Sequence, residues 1–216
     1  MPGFSLWLVP HKTTPFAQTT QDLISDTIPR HLLPADQPPL TFPPHITLHP
    51  DIPADLLHPD PQTWLSGLPL PPFQNERDEV VLELDALQAE DPFFRKLNIA
   101  VSSDANLRRL AAAVRRRVVG GEDADAEDWA ERVYRPHLSL FYGATETGEV
   151  RAKMPWVEMK IGFAWGDLFA CCGGALGFGG EMVLVDTSRA VGEWEGAVVG
   201  RRETEWVCWR ASRNLN

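Results

Sequence analysis

The chain has 216 residues, 44% hydrophobic and 23% charged, with a formal net charge of −10 at pH 7 and a pI near 5.0. That is an ordinary globular composition, long enough to bury a real core, and it is neither collagenous, coiled-coil nor wholly disordered. The acidic balance argues against coating long nucleic acid, which needs clustered Lys and Arg, but it permits a small anionic ligand in a locally positive cleft.

In chain order, Ser5–Pro10 (SLWLVP) is a short apolar run closed by proline and reads as a buried strand. Thr13 to Leu33 reads as mainly helical, with Phe16, Leu23, Ile24 and Ile28 as its apolar stripe and Pro34 as its stop. A proline-rich loop, PADQPPLTFPP, delivers the chain to a β-leaning ITL, and a short helix is expected between Leu56 and Leu65. LPLPPFQNERD reads as loop, followed by two strands, Glu79–Leu87 and Lys96–Ser102, that turn near Asp91-Pro92.

The clearest helix is DANLRRLAAAVRRRVV, capped by Asp104, with Leu107, Leu110, Ala111, Val114 and Val118 on its apolar face and Gly120-Gly121 at its end. After it, GEDADAEDWAE reads as an acidic loop and His137–Tyr142 (HLSLFY) as a second β-leaning run. MKIGFAW and EMVLVDTS are expected as a late strand pair, with the glycine-rich stretch 166–180 between them as a looped insertion. EWEGAVVGRRE is expected as a last strand. The mixture lacks a βαβ rhythm, so the expected class is α+β with mostly antiparallel sheet.

One phrase occurs twice: Pro44-His45-Ile46-Thr47-Leu48 returns as Pro136-His137-Leu138-Ser139-Leu140. Side chains alternate along a strand, so His45 and Thr47 would share one face, as would His137 and Ser139, while the aliphatic residues anchor the other. If the two strands lie side by side, two imidazoles and two hydroxyls converge, and that set suits a phosphodiester. The hydroxyls donate to non-bridging oxygens that gain charge in the transition state. One neutral imidazole takes a proton from water; the other, protonated, gives one to the departing oxygen. No metal and no cofactor is called for.

With six histidines, a bare H-x-[ST] occurs by chance about half a time in such a chain, but a preceding proline and flanking aliphatics lower that to about 0.01. Pro10-His11-Lys12-Thr13 is a decoy, because Lys12 and Thr14 stand where buried aliphatics are needed.

The pair resembles the duplicated H-x-[ST]-x signature of the 2H phosphoesterase superfamily. LWLVP, HLSLFY and the C-terminal GEWEGAVVG resemble features of its eukaryotic cyclic phosphodiesterases. The resemblance implies one bilobal domain over 1–216, each lobe an antiparallel sheet with helices outside and one motif at the cleft. It implies hydrolysis of ADP-ribose 1″,2″-cyclic phosphate and of nucleoside 2′,3′-cyclic phosphates, the latter to 2′-phosphates. His45 and His137 are then the acid–base pair, and Thr47 and Ser139 hold the phosphate. The two halves are chemically alike, so the sequence does not say which histidine is the base; the expectation adopted is that His137 activates the water. Trp7, Tyr142 and Phe94 match aromatic residues that flank the substrate. The segment after Tyr142 and the glycine-rich insertion depart from the compact family pattern.

Other signals are discounted. GGALGFGG has no GK[ST] after it, so it is not a phosphate loop. Cys171, Cys172 and Cys208 are too few for a disulfide framework and include no CxxC. His49 and Asp51 extend the His45–Thr47 alternation, but Pro50 breaks it and a metal site is not expected. Arg108, Arg109 and Arg115–Arg117 read as a solvated helix face. No secretory signal or membrane span is visible, so a monomer in the cytoplasm, acting on a small cyclic phosphate, is the expectation. The rivals are an RNA-end-processing or 2′–5′ ligase-like relative and a catalytically silent nucleotide-binding module.

Overall fold

Strand β1 (Phe4–Val9) has Ser5 to Leu8 buried without a break, which a two-neighbour central strand requires. It lies between β2 (Ile46–Ile52) and β7 (Glu181–Asp186), antiparallel to both. The remaining strands of this computed structural model are β3 (Val80–Ala89), β4 (Leu97–Ser103), β5 (His137–Phe141), β6 (Ala175–Phe178), β8 (Val198–Glu203) and β9 (Val207–Ala211). It describes residues 3–73, 79–212 and 215, apart from the side chains at 103, 169, 171 and 172. The expectations for 74–78 and for the Cys171 and Cys172 thiols lie outside the described residues.

Among the described residues the strands form one sheet in the order β6-β9-β3-β4-β5-β2-β1-β7-β8. Every neighbouring pair is antiparallel except β3–β9. The architecture is α+β, as expected. The sheet is thinnest at its centre, where β2 and β5 meet through a single pair, Ile46 opposite Leu138. Both side chains are fully buried, so each contributes on the order of 2–3 kcal/mol of hydrophobic stabilisation there.

The helices follow their caps. In α1 (Pro15–Asp22), Thr14 accepts from the Ala17 N–H and Pro15 opens the first turn. A wide turn over 23–27 leads into α2 (Ile28–Leu32), which ends before Pro34. Helix α3 is the short Pro61–Ser66. Helix α4 (Ala105–Val119) starts at Asp104, which accepts from the Asn106 and Leu107 N–H groups, and ends at Gly120 with φ of 72°.

Three expectations fail for identifiable reasons. The acidic loop is helix α5 (Asp123–Arg132): Asp123 and Asp125 complement its N-terminal dipole, and its apolar stripe is only Ala126 and Ala130. The strand expected at MKIGFAW and the loop expected after it are one 26-residue helix, α6 (Thr147–Cys172), which runs through Pro155 and ends at a left-handed Gly173. Ile161, Phe163 and Trp165 mimic strand alternation, yet Phe163 is 75% exposed while Val150, Val157, Ile161 and Trp165 bury one helical face. Beyond α6 the supposed glycine-rich loop is a turn at Gly173-Gly174, the strand β6 and the non-regular pair Gly179-Gly180. The expected last strand begins as a 3₁₀ turn over Val191–Ala197 before β8, and β9 follows, parallel to β3. Among the described residues no helix is long and apolar enough to cross a membrane.

Candidate active site

Pairing registers carry both motifs to one place. Ile46 sits opposite Leu138, and the antiparallel register about that pair sets His45 across from Ser139 and Thr47 across from His137. Trp7 of β1 pairs with Thr47, while Ala100 and Asn98 of β4 pair with His137 and Ser139. The four predicted polar residues therefore share one face at the thin centre of the sheet.

Both histidines are held in the same way. His45 Nδ1–H donates to the Pro43 carbonyl at 2.7 Å, and His137 Nδ1–H donates to the Arg135 carbonyl at 2.9 Å. A carbonyl only accepts, so each Nδ1 carries the hydrogen, and Nε2 of each neutral ring presents its lone pair. In both cases the partner lies two residues upstream, across the proline that precedes the histidine, so the P-H dipeptide is itself the orienting device.

The two rings differ in surroundings. His45 is 5% exposed and stacks on Trp7 with centroids 3.8 Å apart at 18°. Burial lowers its pKa to about 4; the Pro43 carbonyl opposes that shift, and the charge on His137 adds to it. The two imidazoles thus sense each other. His137 is half-buried, and burial lowers its pKa too, with the Arg135 carbonyl opposing, Arg95 lowering and Glu90 raising it.

The hydroxyls are set by neighbours that sequence reasoning missed. Thr47 is half-buried with no hydrogen bond from its own hydroxyl among the described residues, while its carbonyl accepts from Tyr134 Oη at 3.0 Å. Tyr134 belongs to the segment leading into β5, so it ties one motif to the other beside the single bridge pair. Ser139 is 3% exposed; its hydroxyl lies 3.4 Å from the Phe94 carbonyl and hydrogen-bonds Tyr142. Burial raises the Tyr142 pKa, which keeps the phenol a neutral partner for Ser139. Opposite Ser139, Asn98 is fully buried and donates to Glu90 Oε1 and the Arg95 carbonyl, both at 3.0 Å, while its own oxygen has no partner. Arg95 in turn pairs with Glu90 at 2.8 Å.

The aromatic residues form a wall. Trp7 meets Trp194 edge-on at 5.5 Å, Phe42 stacks on Tyr142 at 3.9 Å, and Phe94 lies 5.3 Å from Tyr142 and 6.0 Å from Trp194. Trp7 and Tyr142 are almost fully buried, whereas Phe94 is half-buried. Phe42 and Trp194 are additions: Trp194 stood in the GEWEGAVVG stretch, whereas Phe42 lay in a loop with no periodic signal.

Other candidates fall elsewhere. The register slips by one between Leu6 and Trp7, so His49 pairs with Leu6 and leaves the face of Thr47. It turns toward α4, where its Nε2 accepts from Arg115 at 3.2 Å. His11 sits in the turn after β1, 3.7 Å from Glu203. The arginine face of α4 is engaged: Arg108 with Glu131, Arg116 with Asp123, and Arg115 and Arg117 over Trp129 and Trp64. Among the described residues, no three His, Cys, Asp or Glu side chains gather as metal ligands would.

Known proteins match along nearly the whole chain. The family described as "Cyclic phosphodiesterase-like protein" matches residues 1–203. A Neurospora crassa protein named 2′,3′-cyclic-nucleotide 3′-phosphodiesterase is 32% identical over 214 residues, covering 90% of this chain and 97% of its own. A Phaeosphaeria nodorum protein of the same name is 32% identical over 197 residues, covering 90% and 96%. With two imidazole–hydroxyl pairs on one face and a family match that spans both, this chain belongs to the cyclic phosphodiesterase family of hydrolases.

Proposed function

We propose that the protein hydrolyses small cyclic phosphates without a metal, opening nucleoside 2′,3′-cyclic phosphates to 2′-phosphates and accepting ADP-ribose 1″,2″-cyclic phosphate as well. The observation that carries this reading is the matched pair of imidazoles, each with Nδ1–H on a carbonyl two residues upstream and Nε2 available. The names of the relatives support the 2′,3′-cyclic nucleotide as the substrate class.

The phosphate would sit between the two motif strands, which serve as the inner edges of two lobes. The Thr47 and Ser139 hydroxyls donate to its non-bridging oxygens, where charge grows in the transition state. His137, half-buried and neutral, takes a proton from the attacking water, which a less enclosed ring can reach. His45, sealed against Trp7, gives its proton to the departing 3′ oxygen. Its depressed pKa does not forbid this, because the incoming phosphate anion stabilises the imidazolium. The water oxygen ends on phosphorus, the 3′ oxygen leaves as a hydroxyl, and one proton has moved from His45 to His137.

The wall of Trp7, Tyr142, Phe94 and Trp194 excludes water around that transfer. The engaged arginines of α4 and the net charge of −10 disfavour an extended RNA partner, so a monomer acting on free small molecules is the reading.

The test is to incubate the protein with adenosine 2′,3′-cyclic phosphate and identify the product by chromatography. The 2′-phosphate alone is expected. The 3′-phosphate alone would overturn the assignment of the departing oxygen, and unchanged substrate would overturn the activity.

A further inference from the structure

We infer that the cleft contains a distinct pocket for one neutral heterocyclic base, read at its edge by Gln18. The inference rests on the cyclic-nucleotide reading above. A cavity of about 280 Å³ opens beside His45. Pro43, whose carbonyl orients His45, lines it, as do Pro44 and Trp7, on which the His45 ring stacks. Trp7 pairs with Thr47 on one side and with Val183 on the other, so the cavity lies on the sheet face that carries the catalytic groups.

Its composition selects the occupant. Trp7, Val9, Val183 and Val198 supply an apolar floor, and Gln18 and Gln21 of α1 supply amides at the rim. The two cations that reach it are already neutralised: Lys12 pairs with Glu195 at 2.6 Å, and Arg201 with Glu181 at 2.7 Å. Asp22 adds a further carboxylate to the lining. A second phosphate would meet no free positive charge there, whereas a flat, uncharged ring buries apolar area on the floor at no such cost. The volume is close to the small end of ligand pockets, about 300 Å³, which suits one base and not a dinucleotide.

The two amides are not equivalent. Gln21 Nε2 donates to the Phe42 carbonyl at 3.2 Å, which fixes that side chain on the loop before the first motif. Gln18 has no side-chain partner among the described residues and keeps both its donor and its acceptor. A glutamine amide offers the two side by side, the arrangement that matches the N6 and N7 edge of adenine.

The test is calorimetric titration with adenosine 2′-phosphate and with base-free ribose 2-phosphate. It compares the wild type with Gln18→Leu, which removes the amide, and Val198→Phe, which fills the floor. Gln18 is an exposed position on α1, so the first variant tests the proposal even if the second folds poorly. The wild type is expected to prefer the nucleotide by about tenfold or more, and Gln18→Leu to lose several-fold of that preference. Equal affinity of the wild type for both ligands, or an undiminished preference in both folded variants, would overturn the pocket. Turnover of adenosine 2′,3′-cyclic phosphate is read separately. Base-dependent binding that responds to the variants without any turnover would support the pocket and overturn the hydrolase reading.

Discussion

The two motif strands place the same groups in unequal surroundings. At the entry to β2, His45 is packed against Trp7 and its pKa falls to about 4, while Thr47 on the strand is half-buried with its hydroxyl unengaged among the described residues. On β5, His137 is half-buried between the influences of Arg95 and Glu90, while Ser139 is buried and engaged with Tyr142. Each strand therefore has one closed member and one open member, in opposite order. The lesson is that a repeated phrase becomes a division of labour only through what packs on it. Trp7, from a third strand, encloses one imidazole and leaves the other half-buried.

The largest effects are expected at the imidazoles. His45→Ala and His137→Ala are each expected to lower kcat by about 10²–10⁴, with an unchanged circular dichroism spectrum and cooperative melting. If the two act in one transfer, as proposed, the double variant should be little worse than either single one. Wild-type turnover in either would remove that residue from the acid–base pair. Thr47→Val and Ser139→Ala come next, each expected to cost about 10²-fold in kcat if its hydroxyl meets charge that develops in the transition state. A rise in KM alone would demote that hydroxyl to ground-state binding.

Tyr134→Phe tests the tie between the two strands, because its hydroxyl donates to the Thr47 carbonyl and so sets one motif against the other. The expected result is a fall of about tenfold in kcat with little change in KM, alongside a stability loss of about 1 kcal/mol in urea unfolding. The same stability loss with full kcat would make Tyr134 a structural residue only.

Much of this was legible in the sequence, and the failures share a cause. The motif strands, the Asp104 cap and the α1–α2 stretch were readable because caps, prolines and short periodicities act locally. Ile161, Phe163 and Trp165 misled because alternation alone cannot tell a strand from a helix whose second residue faces water. The slip beside His49 is a property of β1 pairing with β2, and nothing in HPD announces it. Phe42, Tyr134 and Asn98 reach the site through tertiary contacts, so their neighbours in sequence carry no trace of the role.

The difference between the histidines also shows in pH dependence. His45 has a folded pKa near 4 against an ordinary value of 6.5, so the unfolded chain binds more protons between those values. Its contribution is fully present above pH 6.5 and is lost as pH falls toward 4, the loss amounting to about 3 kcal/mol by then. Urea unfolding of wild type and His45→Gln at pH 7 and pH 4 should show the variant losing less stability on acidification. Equal losses would mean that His45 is not buried as a neutral ring. In kinetics, if His45 is the proton donor as proposed, a bound phosphate anion would raise its pKa, and the alkaline limb of kcat should lie at higher pH than that of kcat/KM.

The most direct measurement is the rate of hydrolysis of adenosine 2′,3′-cyclic phosphate in the presence of EDTA, for the wild type and the two histidine-to-alanine variants side by side. Undiminished wild-type turnover with near-complete loss in both variants is the expected result. Turnover that EDTA abolishes, or that survives in either variant, would contradict a metal-free reaction run by His45 and His137.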